Sequence, residues 1–355
     1  MSADTVDVGI IGLGRISGSH IQEFQACPDA EIVAICDIDP ERVAAAQREH
    51  KLAGVFAATD WDELLALDGL DAVSIPLPDH LHRPAVLAAV AAGKHVLCEK
   101  PLGMNAVEAE EMLAATESAG VVHAVRMQRR HEPAARYVSD LVAEGFLGEL
   151  RHFRARMSVH RISDPEVKLE WRLQADRGCY GVLGDLGAHA LDLAHFTMGE
   201  AAGELTQASA MGAVFIGERE SEDGCGAAEV TAWDAINFSV RYERNVLGSY
   251  QLSRFSPGYS AWEIDGQDAC VRVRPGAEGK IEVYERRPRD DQVTASEYLA
   301  RDIPDKYLDG RTLVGVFVEA ILTGSQASPN FRDGLRIAGE LDLIHAAALG
   351  AQPFI

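Results

Sequence analysis

Short apolar runs alternate with helical patterns along the first 125 residues, and this alternation constrains the fold more than any other feature of the chain. The apolar runs are Val6–Ile11, Ile32–Cys36, Ala72–Pro76, His95–Cys98 and Val121–Val125. Each run is nearly continuous, which is typical of parallel strands that are buried on both faces. Strands that alternate with helices at this spacing form right-handed βαβ units. The pattern therefore predicts an α/β domain with a doubly wound parallel sheet over residues 1–125.

The pattern changes after residue 126. It predicts a helix over 133–144, a strand over 150–159, and a glycine-rich stretch with a helix over 178–198. Several β-like segments follow between residues 206 and 285, and a last helix covers about 334–349. Runs of strands after one or two helices are typical of an α+β domain with a mostly antiparallel sheet. We therefore expect a second domain with a large sheet over residues 126–355.

Charge and composition exclude several classes of protein. The chain has 355 residues and a formal net charge of −22, which repels nucleic-acid phosphates and anionic lipid surfaces. The apolar stretches are far shorter than the roughly 18 residues of a spanning helix, and the first residues lack the pattern of a secretory signal. The scattered cysteines contain no Cys-x-x-Cys pair, which indicates a reducing compartment. We expect a soluble cytoplasmic protein.

A glycine motif follows the first predicted strand, with the sequence Gly12-Leu13-Gly14-Arg15-Ile16-Ser17. The first glycine permits a tight turn, and the second lets the backbone approach a pyrophosphate. The N-terminus of the next helix then supplies N–H groups and a positive dipole end. Ser17 stands where the motif usually has a third glycine, but it is also small. A glycine turn without a ligand is the alternative, yet the position at the first βα turn favours a dinucleotide site of the Rossmann type.

Asp37 ends the second predicted strand, about 25 residues after the glycine motif. A carboxylate there accepts hydrogen bonds from the adenosine ribose of NAD and repels the 2′-phosphate of NADP. The alternative is that Asp37 only caps the turn before Asp39-Pro40. Because Arg42 could partly offset the repulsion, the sequence favours NAD and leaves NADP as the less favoured cofactor.

Glu99-Lys100-Pro101 follows the predicted strand His95–Cys98. This is the carboxyl end of the sheet, where open α/β sheets bind their ligands. A lysine at that place can reach into a cleft as a hydrogen-bond donor. The alternative is a solvated surface lysine, which is the commonest environment of this side chain.

Four motifs occur in order over residues 6–200. They are Gly9-Ile-Ile-Gly-Leu-Gly14, Pro78-Asp79-His80-Leu81-His82, Ala91-Ala-Gly-Lys-His-Val-Leu-Cys-Glu-Lys-Pro101 and Gly184-Asp185-Leu186-Gly187-Ala188-His189. With this combination the chain resembles the glucose–fructose oxidoreductase/inositol dehydrogenase (Gfo/Idh/MocA) family. The resemblance implies a Rossmann domain and a C-terminal domain whose open sheet packs against another subunit, in homodimers or homotetramers.

The resemblance also implies roles for individual residues. Lys100 would lie beside the nicotinamide and the reacting hydroxyl, and Asp185 and His189 would be the remaining catalytic groups. Further residues would border the cofactor, namely Glu99, His82 and the turn Pro76-Leu77-Pro78.

Chemical reasoning agrees with the three catalytic roles. An alcohol gives up a hydride only as its proton leaves, so the neutral imidazole of His189 is a suitable general base. Lys100 can stabilise the developing alkoxide, and Asp185 can orient the imidazole or bind a hydroxyl. Residues 185, 189 and 192 share one face of an α-helix because of their i, i+4, i+7 spacing. The alternatives are a core histidine at His189 and a helix cap at Asp185, while Asp192 is equally compatible with structure and with substrate binding.

The candidate substrate-binding residues each have two interpretations. Tyr180 lies where relatives more often carry a denser glycine run, and its ring would either narrow the pocket or stack on a sugar. Other candidates are equally compatible with surface packing, namely Arg129, which Arg130 follows, Trp171 and Arg172. The segments around Ser253-Arg254, Tyr259 and Trp262 are similar to the sugar-dehydrogenase branch of the family.

These observations predict an NAD-dependent dehydrogenase that oxidises a secondary alcohol of a cyclitol, sugar or glycoside, or reduces the corresponding ketone. Two alternatives are an enzyme that recycles a tightly bound NAD, as a sugar oxidoreductase or a redox-assisted glycosidase, and a non-enzymatic NAD or sugar sensor. No metal site is expected, since the i, i+2 spacing of His80 and His82 does not place two ligands on one helical face.

Overall fold

The computed structural model describes residues 5–222, 224–285 and 297–350. The chain divides into two compact units. One contains Met1–Gln128 and Arg311–Gly339, and the other contains Arg129–Gly310 and Glu340–Ile355. The first division lies close to the expected boundary at residue 125. Residues 311–339, however, belong to the first unit, although they lie within the predicted second domain, 126–355.

The elements are numbered in chain order. The strands of the first unit are β1 (Val6–Ile11), β2 (Ala30–Cys36), β3 (Phe56–Ala58), β4 (Ala72–Ile75), β5 (His95–Cys98) and β6 (His123–Val125). Those of the second unit are β7 (Leu150–Ser158), β8 (Leu205–Ala213), β9 (Glu218–Glu220), β10 (Ala227–Glu229), β11 (Ala235–Tyr242), β12 (Leu247–Ser253), β13 (Tyr259–Gly266), β14 (Ala269–Val273), β15 (Lys280–Glu285) and β16 (Leu299–Asp302). The α-helices are α1 (Ser17–Ala26), α2 (Pro40–Glu49), α3 (Trp61–Leu65), α4 (His82–Ala91), α5 (Ala106–Ala119), α6 (Pro133–Ala143), α7 (Ala188–Met198), α8 (Leu313–Thr323) and α9 (Phe331–Gly350).

The first unit contains the predicted doubly wound sheet. Its strands are all parallel and lie in the order β3-β2-β1-β4-β5-β6. From β1 the chain first builds the sheet toward β2 and β3 on one side, and then toward β4, β5 and β6 on the other. The switch point is therefore at β1 and β4, and open α/β sheets bind ligands at such a point. Strand β3 was not predicted, because its three residues, Phe-Ala-Ala, are too few to show a strand pattern.

A late helix completes the core of the first unit. Leu313, Val314 and Phe317 of α8 are buried in the same cluster as Val8 and Ile21. Helix α8 was not predicted. Its almost uniformly apolar sequence shows no clear helical period, and this is expected of a helix that is buried on most sides.

The second unit contains a large sheet with the strand order β16-β15-β14-β13-β7-β12-β11-β8. Only the pair β7 and β12 is parallel among these neighbours, so the prediction of a mostly antiparallel sheet is confirmed. Burial alternates along β11, where Ile236, Phe238 and Val240 are buried while Asn237 and Ser239 are exposed. Such alternation is typical of a sheet with one covered and one open face.

Helices pack on the covered side of this sheet, with α7 against β7 and against α6. The predicted helix over 178–198 begins as a π-helical turn at Leu183–Gly187 and continues as α7. The predicted last helix is α9, which starts at Phe331, three residues earlier than expected. No helix within the described ranges is both long and apolar enough to cross a membrane.

Candidate active site

The glycine motif forms a tight turn between β1 and α1. Gly12 has φ +103°, and a Cβ there would lie 2.7 Å from Leu77 Cδ2 and 3.1 Å from the Pro76 carbonyl oxygen. A side chain at Gly12 is therefore excluded by both conformation and space. Gly14 faces open space, and no side chain among the described residues caps the N-terminus of α1. A backbone that is open beside an uncapped helix N-terminus fits the pyrophosphate of a dinucleotide.

The Asp37 carboxylate holds the glycine turn against the end of β2. It is 7% exposed, and it accepts hydrogen bonds from the backbone N–H of Leu13 (2.7 Å) and of Asp39 (3.0 Å). Asp37 thus does stabilise its own loop, as the capping alternative proposed. A carboxylate has about four acceptor positions, however, so ribose hydroxyls can still bind. Its neighbour Arg42 lies 3.9 Å away, and a cavity of about 450 Å³ lined by Gly14, Arg42 and other residues adjoins the turn.

Glu99 lies in a buried charge network directly after β5. One carboxylate oxygen is 3.0 Å from His20 Nε2 and 3.3 Å from Arg126 Nε, and the other accepts the backbone N–H of Lys100 at 3.0 Å. Burial opposes ionisation, but the hydrogen bond from His20 and the charges of Lys100 and Arg126 outweigh it and lower the pKa of Glu99 to about 2. Glu99 is therefore an ionised anchor for the backbone of Lys100.

His20 extends this network to the centre of the sheet. Its ring is fully buried, and Nδ1 lies 2.7 Å from Ser74 Oγ on β4. Burial lowers the pKa of His20, which favours the neutral ring. A neutral ring that donates from Nε2 to Glu99 accepts at Nδ1 from the Ser74 hydroxyl. Arg126 in turn binds Glu23 at 2.6 Å, so every charge in the network has a partner of opposite sign.

His82 joins two loops at the carboxyl end of the parallel sheet. Its fully buried ring lies between the carbonyl oxygens of Pro101 (2.9 Å from Nδ1) and Leu77 (3.0 Å from Nε2). Carbonyl oxygens only accept, so both ring nitrogens donate and the ring is protonated. Burial lowers the pKa of His82, but the neighbouring Cys98 sulfur, the Asp79 charge and the Leu77 carbonyl raise it to about 10. His82 therefore braces the loop that contains Lys100 against the loop of the Pro76-Leu77-Pro78 turn.

In the second unit, Asp185 lies within the π-helical turn that leads into α7. Such turns occur often at functional sites. The N-cap position of α7 is occupied by Gly187, so the helix-cap alternative for Asp185 finds no support. The Asp185 side chain is 27% exposed, and its Oδ2 lies 3.4 Å from the Arg254 guanidinium. His189, four residues further on, is 8% exposed.

Asp192 is a structural residue. It is fully buried, and its carboxylate accepts hydrogen bonds from Arg130 Nε at 2.8 and 2.9 Å and from a terminal nitrogen of Arg130 at 2.5 Å. A two-pronged buried pair of this kind fixes α7 to the segment before α6. Of the two alternatives for Asp192, structure and substrate binding, this ion pair supports the structural role.

Arg254 lies beside Asp185 in the candidate site, a placement that the sequence pattern did not predict. It is 2% exposed and donates to the Arg172 carbonyl at 2.9 Å as well as to Asp185. Burial lowers the pKa of Arg254, and the Asp185 charge opposes this effect. Arg254 therefore orients the Asp185 carboxylate and the Trp171–Arg172 turn together. No local motif marks it, since its partners are distant in sequence.

Tyr180 packs against α9. Its ring stacks on His345 with 4.1 Å between centroids, and its hydroxyl donates to Asp342 at 2.8 Å. Trp233 completes this cluster by donating from its indole nitrogen to His345 at 3.1 Å. A neighbouring predicted pair, Trp171 and Arg172, is stacked with the guanidinium 4.0 Å from the ring centroid. The Tyr180 ring is thus already stacked within the protein.

Arg129 lines a different cavity of the second unit, with a volume of about 450 Å³. It donates to Ser260 at 2.7 Å, and Tyr259, Trp262 and Leu186 line the same cavity. The structure thus places Arg129 with the aromatic residues of β13, and it places Asp185 with Arg254 and Arg172.

Comparison with known proteins identifies relatives over most of the chain. Residues 6–127 match the family model described as an oxidoreductase family with an NAD-binding Rossmann fold, and residues 135–272 match the GFO/IDH/MocA C-terminal domain. The chain is 33% identical to 1,5-anhydro-D-fructose reductase of Ensifer adhaerens, with 96% of each chain covered. It is 27% identical to levoglucosan dehydrogenase of Pseudarthrobacter phenanthrenivorans, with 94% of this chain and 93% of that protein covered. A solved structure of levoglucosan dehydrogenase in complex with NADH has a TM-score of 0.86 at 25% identity, with 97% of each chain covered.

The fold and these matches define an NAD-binding oxidoreductase with a Rossmann domain. The chain belongs to the Gfo/Idh/MocA family. The expectations of family, fold class, enzymatic nature and NAD as cofactor are thereby confirmed.

Proposed function

We propose that this protein is an NAD-dependent dehydrogenase that oxidises a secondary alcohol of a cyclitol, sugar or glycoside, or reduces the corresponding ketone. The observation that carries the proposal is the ordering of the Lys100 loop. Glu99 binds the Lys100 backbone at 3.0 Å, and His82 binds the next carbonyl, that of Pro101, at 2.9 Å. A loop held at two adjacent residues presents a cationic side chain in a defined place, as electrostatic catalysis requires.

The residues of the first unit fit NAD. The open backbone at Gly14, with Leu13, Arg15 and Ile16, would hold the pyrophosphate, and Asp37 would bind the adenosine ribose. The Pro76-Leu77-Pro78 turn, which His82 holds in place, would border the nicotinamide half of NAD. Glu99 would hold the backbone of Lys100 beside the nicotinamide. When bound, NAD⁺ supplies a hydride acceptor at C4 of its nicotinamide. The charge of Asp37 supports NAD as the preferred cofactor over NADP.

The chain's own groups would handle the proton and the developing charge. His189 would accept the hydroxyl proton as general base, since an imidazole titrates near neutral pH. The Lys100 ammonium would stabilise the alkoxide as it forms. Asp185, oriented by Arg254, would hold the substrate hydroxyl or the His189 ring. Together these roles would turn a hydroxyl into a hydride donor.

The named relatives support the substrate class. One acts on an anhydro-ketose and the other on levoglucosan, according to their names. Arg129, Trp171, Arg172 and Tyr180 are the residues that we propose for substrate recognition. Tyr180 would act by narrowing the pocket, because its stacking on His345 already occupies the ring.

We propose further that the enzyme is a homodimer or homotetramer formed through the open face of the large sheet. Two large apolar side chains on this face are exposed, Met211 at 66% and Leu247 at 42%. Met211 pairs with the exposed Asn237 of β11 and Leu247 pairs with the exposed Arg241, so both belong to the open face. Light scattering on purified protein tests this, and Met211→Asp should shift the mass toward that of one chain. The six cysteines are scattered along the sequence without a Cys-x-x-Cys pair, which supports a reducing location such as the cytoplasm.

The test is nicotinamide reduction, followed by absorbance, over a panel of inositols, hexoses, anhydrosugars and glycosides, with NAD⁺ and NADP⁺ compared. Lys100→Met tests the catalytic lysine, and Lys280→Met, an exposed lysine, serves as the matched control. We expect turnover with NAD⁺ that falls about 10²- to 10⁴-fold in Lys100→Met only. Tight NAD binding without turnover on any compound would contradict the proposal.

A further inference from the structure

Three side chains with metal-binding atoms meet in the second unit, apart from the residues assigned above. His195 lies in the last turn of α7, Glu204 directly precedes β8, and Glu340 lies in α9. One ligand atom from each lies within 4.8 Å of the other two. The closest pair is His195 Nε2 and Glu340 Oε1, at 2.5 Å. Residues from three distant segments thus converge on one point.

The Glu340 carboxylate is only half satisfied. The residue is 7% exposed, and its second oxygen, Oε2, is buried without a hydrogen-bond partner in the part of the chain that the structure describes. A buried carboxylate oxygen without a donor is costly, because nothing replaces the water that it has lost. Within the cluster, a bound cation would provide the missing interaction.

The electrostatic surroundings also favour a cation. His195 is three residues from the end of α7, and the C-terminus of a helix carries a partial negative charge. A further carboxylate, that of Glu243, accepts the backbone N–H of Glu204 at 3.3 Å. The Tyr242 ring packs nearly perpendicular to the His195 ring, with 5.8 Å between centroids.

We propose that His195, Glu204 and Glu340 bind one divalent transition-metal ion, with Zn²⁺ as the best match. Zinc accepts imidazole nitrogen and carboxylate oxygen as ligands, and the imidazole favours it over magnesium. A water molecule would complete the four-coordinate shell, and two carboxylates balance the charge of a divalent ion. Ligand atoms around zinc lie about 2.0–2.2 Å from it. In the bound site the hydrogen bond between His195 and Glu340 would open to admit the ion, and the exposed Glu204 side chain would move toward it. The ion would tie α7, β8 and α9 together as a structural clamp.

The experiment uses the full chain without an affinity tag, freed of metal by a chelator and then dialysed. Calorimetric titration with ZnCl₂, with MgCl₂ as the comparison, and elemental analysis after gel filtration measure affinity and stoichiometry. We expect one zinc per chain, weak or absent magnesium binding, and a zinc-dependent rise in melting temperature.

Glu204→Gln is the test variant, because its exposed position makes misfolding a small risk, and Glu200→Gln is the matched exposed control in the same segment between α7 and β8. We expect at least a tenfold loss of zinc affinity in Glu204→Gln and none in Glu200→Gln. Less than one zinc per chain in the parent protein, or equal affinity in parent and Glu204→Gln, would show that His195 and Glu340 form only a hydrogen-bonded pair and would overturn the proposal.

Discussion

The Nε2 atom of His20 lies 3.0 Å from the Glu99 carboxylate, although the two residues are 79 positions apart in the sequence. His20 is on α1, the helix whose N-terminus follows the glycine motif, and Glu99 anchors the backbone of Lys100. One buried contact therefore links the dinucleotide turn to the loop of the proposed catalytic lysine. Both side chains are nearly inaccessible to solvent, so water cannot replace the contact when it is broken.

Removing His20 should disturb the placement of Lys100 more than the binding of NAD. In His20→Leu, Glu99 loses a donor at 3.0 Å, and hydrogen bonds to charged groups contribute about 1.5–3 kcal/mol. We expect kcat to fall about tenfold or more, with little change in the Kd for NADH measured by fluorescence. His20→Gln retains an N–H donor and should recover part of the lost kcat. Equal kcat values in the leucine and glutamine variants would argue against a positioning role.

Glu99 should make stability depend on acid pH. Its pKa is lowered from the ordinary value of 4.5 to about 2 in the folded protein. A carboxyl group with a lowered folded pKa contributes stability that is complete above about pH 4.5 and is lost as the pH falls toward about 2. Urea unfolding of wild type and Glu99→Gln between pH 7 and pH 3 tests this. The difference in unfolding free energy should shrink below about pH 4.5, and a constant difference would contradict the prediction.

Asp37→Asn should separate the charge of this residue from its structural hydrogen bonds. The asparagine oxygen can still accept from Leu13 or Asp39, while the negative charge that repels a 2′-phosphate is removed. We expect the ratio of kcat/KM for NAD⁺ to that for NADP⁺ to fall by about tenfold or more, which corresponds to roughly 1.4 kcal/mol. Asp37→Ala serves for comparison, because it removes both contributions and should also lower the melting temperature. An unchanged cofactor ratio in Asp37→Asn would assign Asp37 to loop structure alone.

Asp192→Asn should mainly lower stability, whereas Asp185→Asn should mainly lower activity. Asp192 pairs with a buried Arg130, and removing one partner of a buried pair costs about 3–5 kcal/mol. We therefore expect a large loss of unfolding free energy in Asp192→Asn, measured by urea denaturation. Asp185 is partly exposed, so its substitution should change stability little and should lower kcat strongly. A stable Asp192→Asn protein would contradict the structural role.

Local patterns predicted much of the fold, and the structure confirmed it. Strand β1 and strand β5 have the predicted bounds, and Gly12 adopts the positive φ that a tight turn requires. These features depend on neighbours in the sequence, so a short window of residues contains the information. Short β3 and uniformly apolar α8 were missed, because neither shows a periodic pattern.

What the sequence by itself determined is the parallel sheet, the glycine turn, the candidate catalytic residues and, through combined motifs, the family. Only the tertiary structure decided that Asp192 belongs to an ion pair, that His82 braces two loops and that Arg254 orients Asp185. The partners of Asp192 and Arg254 lie 62 and 69 positions away. Each role depends on which distant groups share a buried volume, where desolvation makes a hydrogen bond or an opposite charge decisive. No spacing along the chain encodes that proximity.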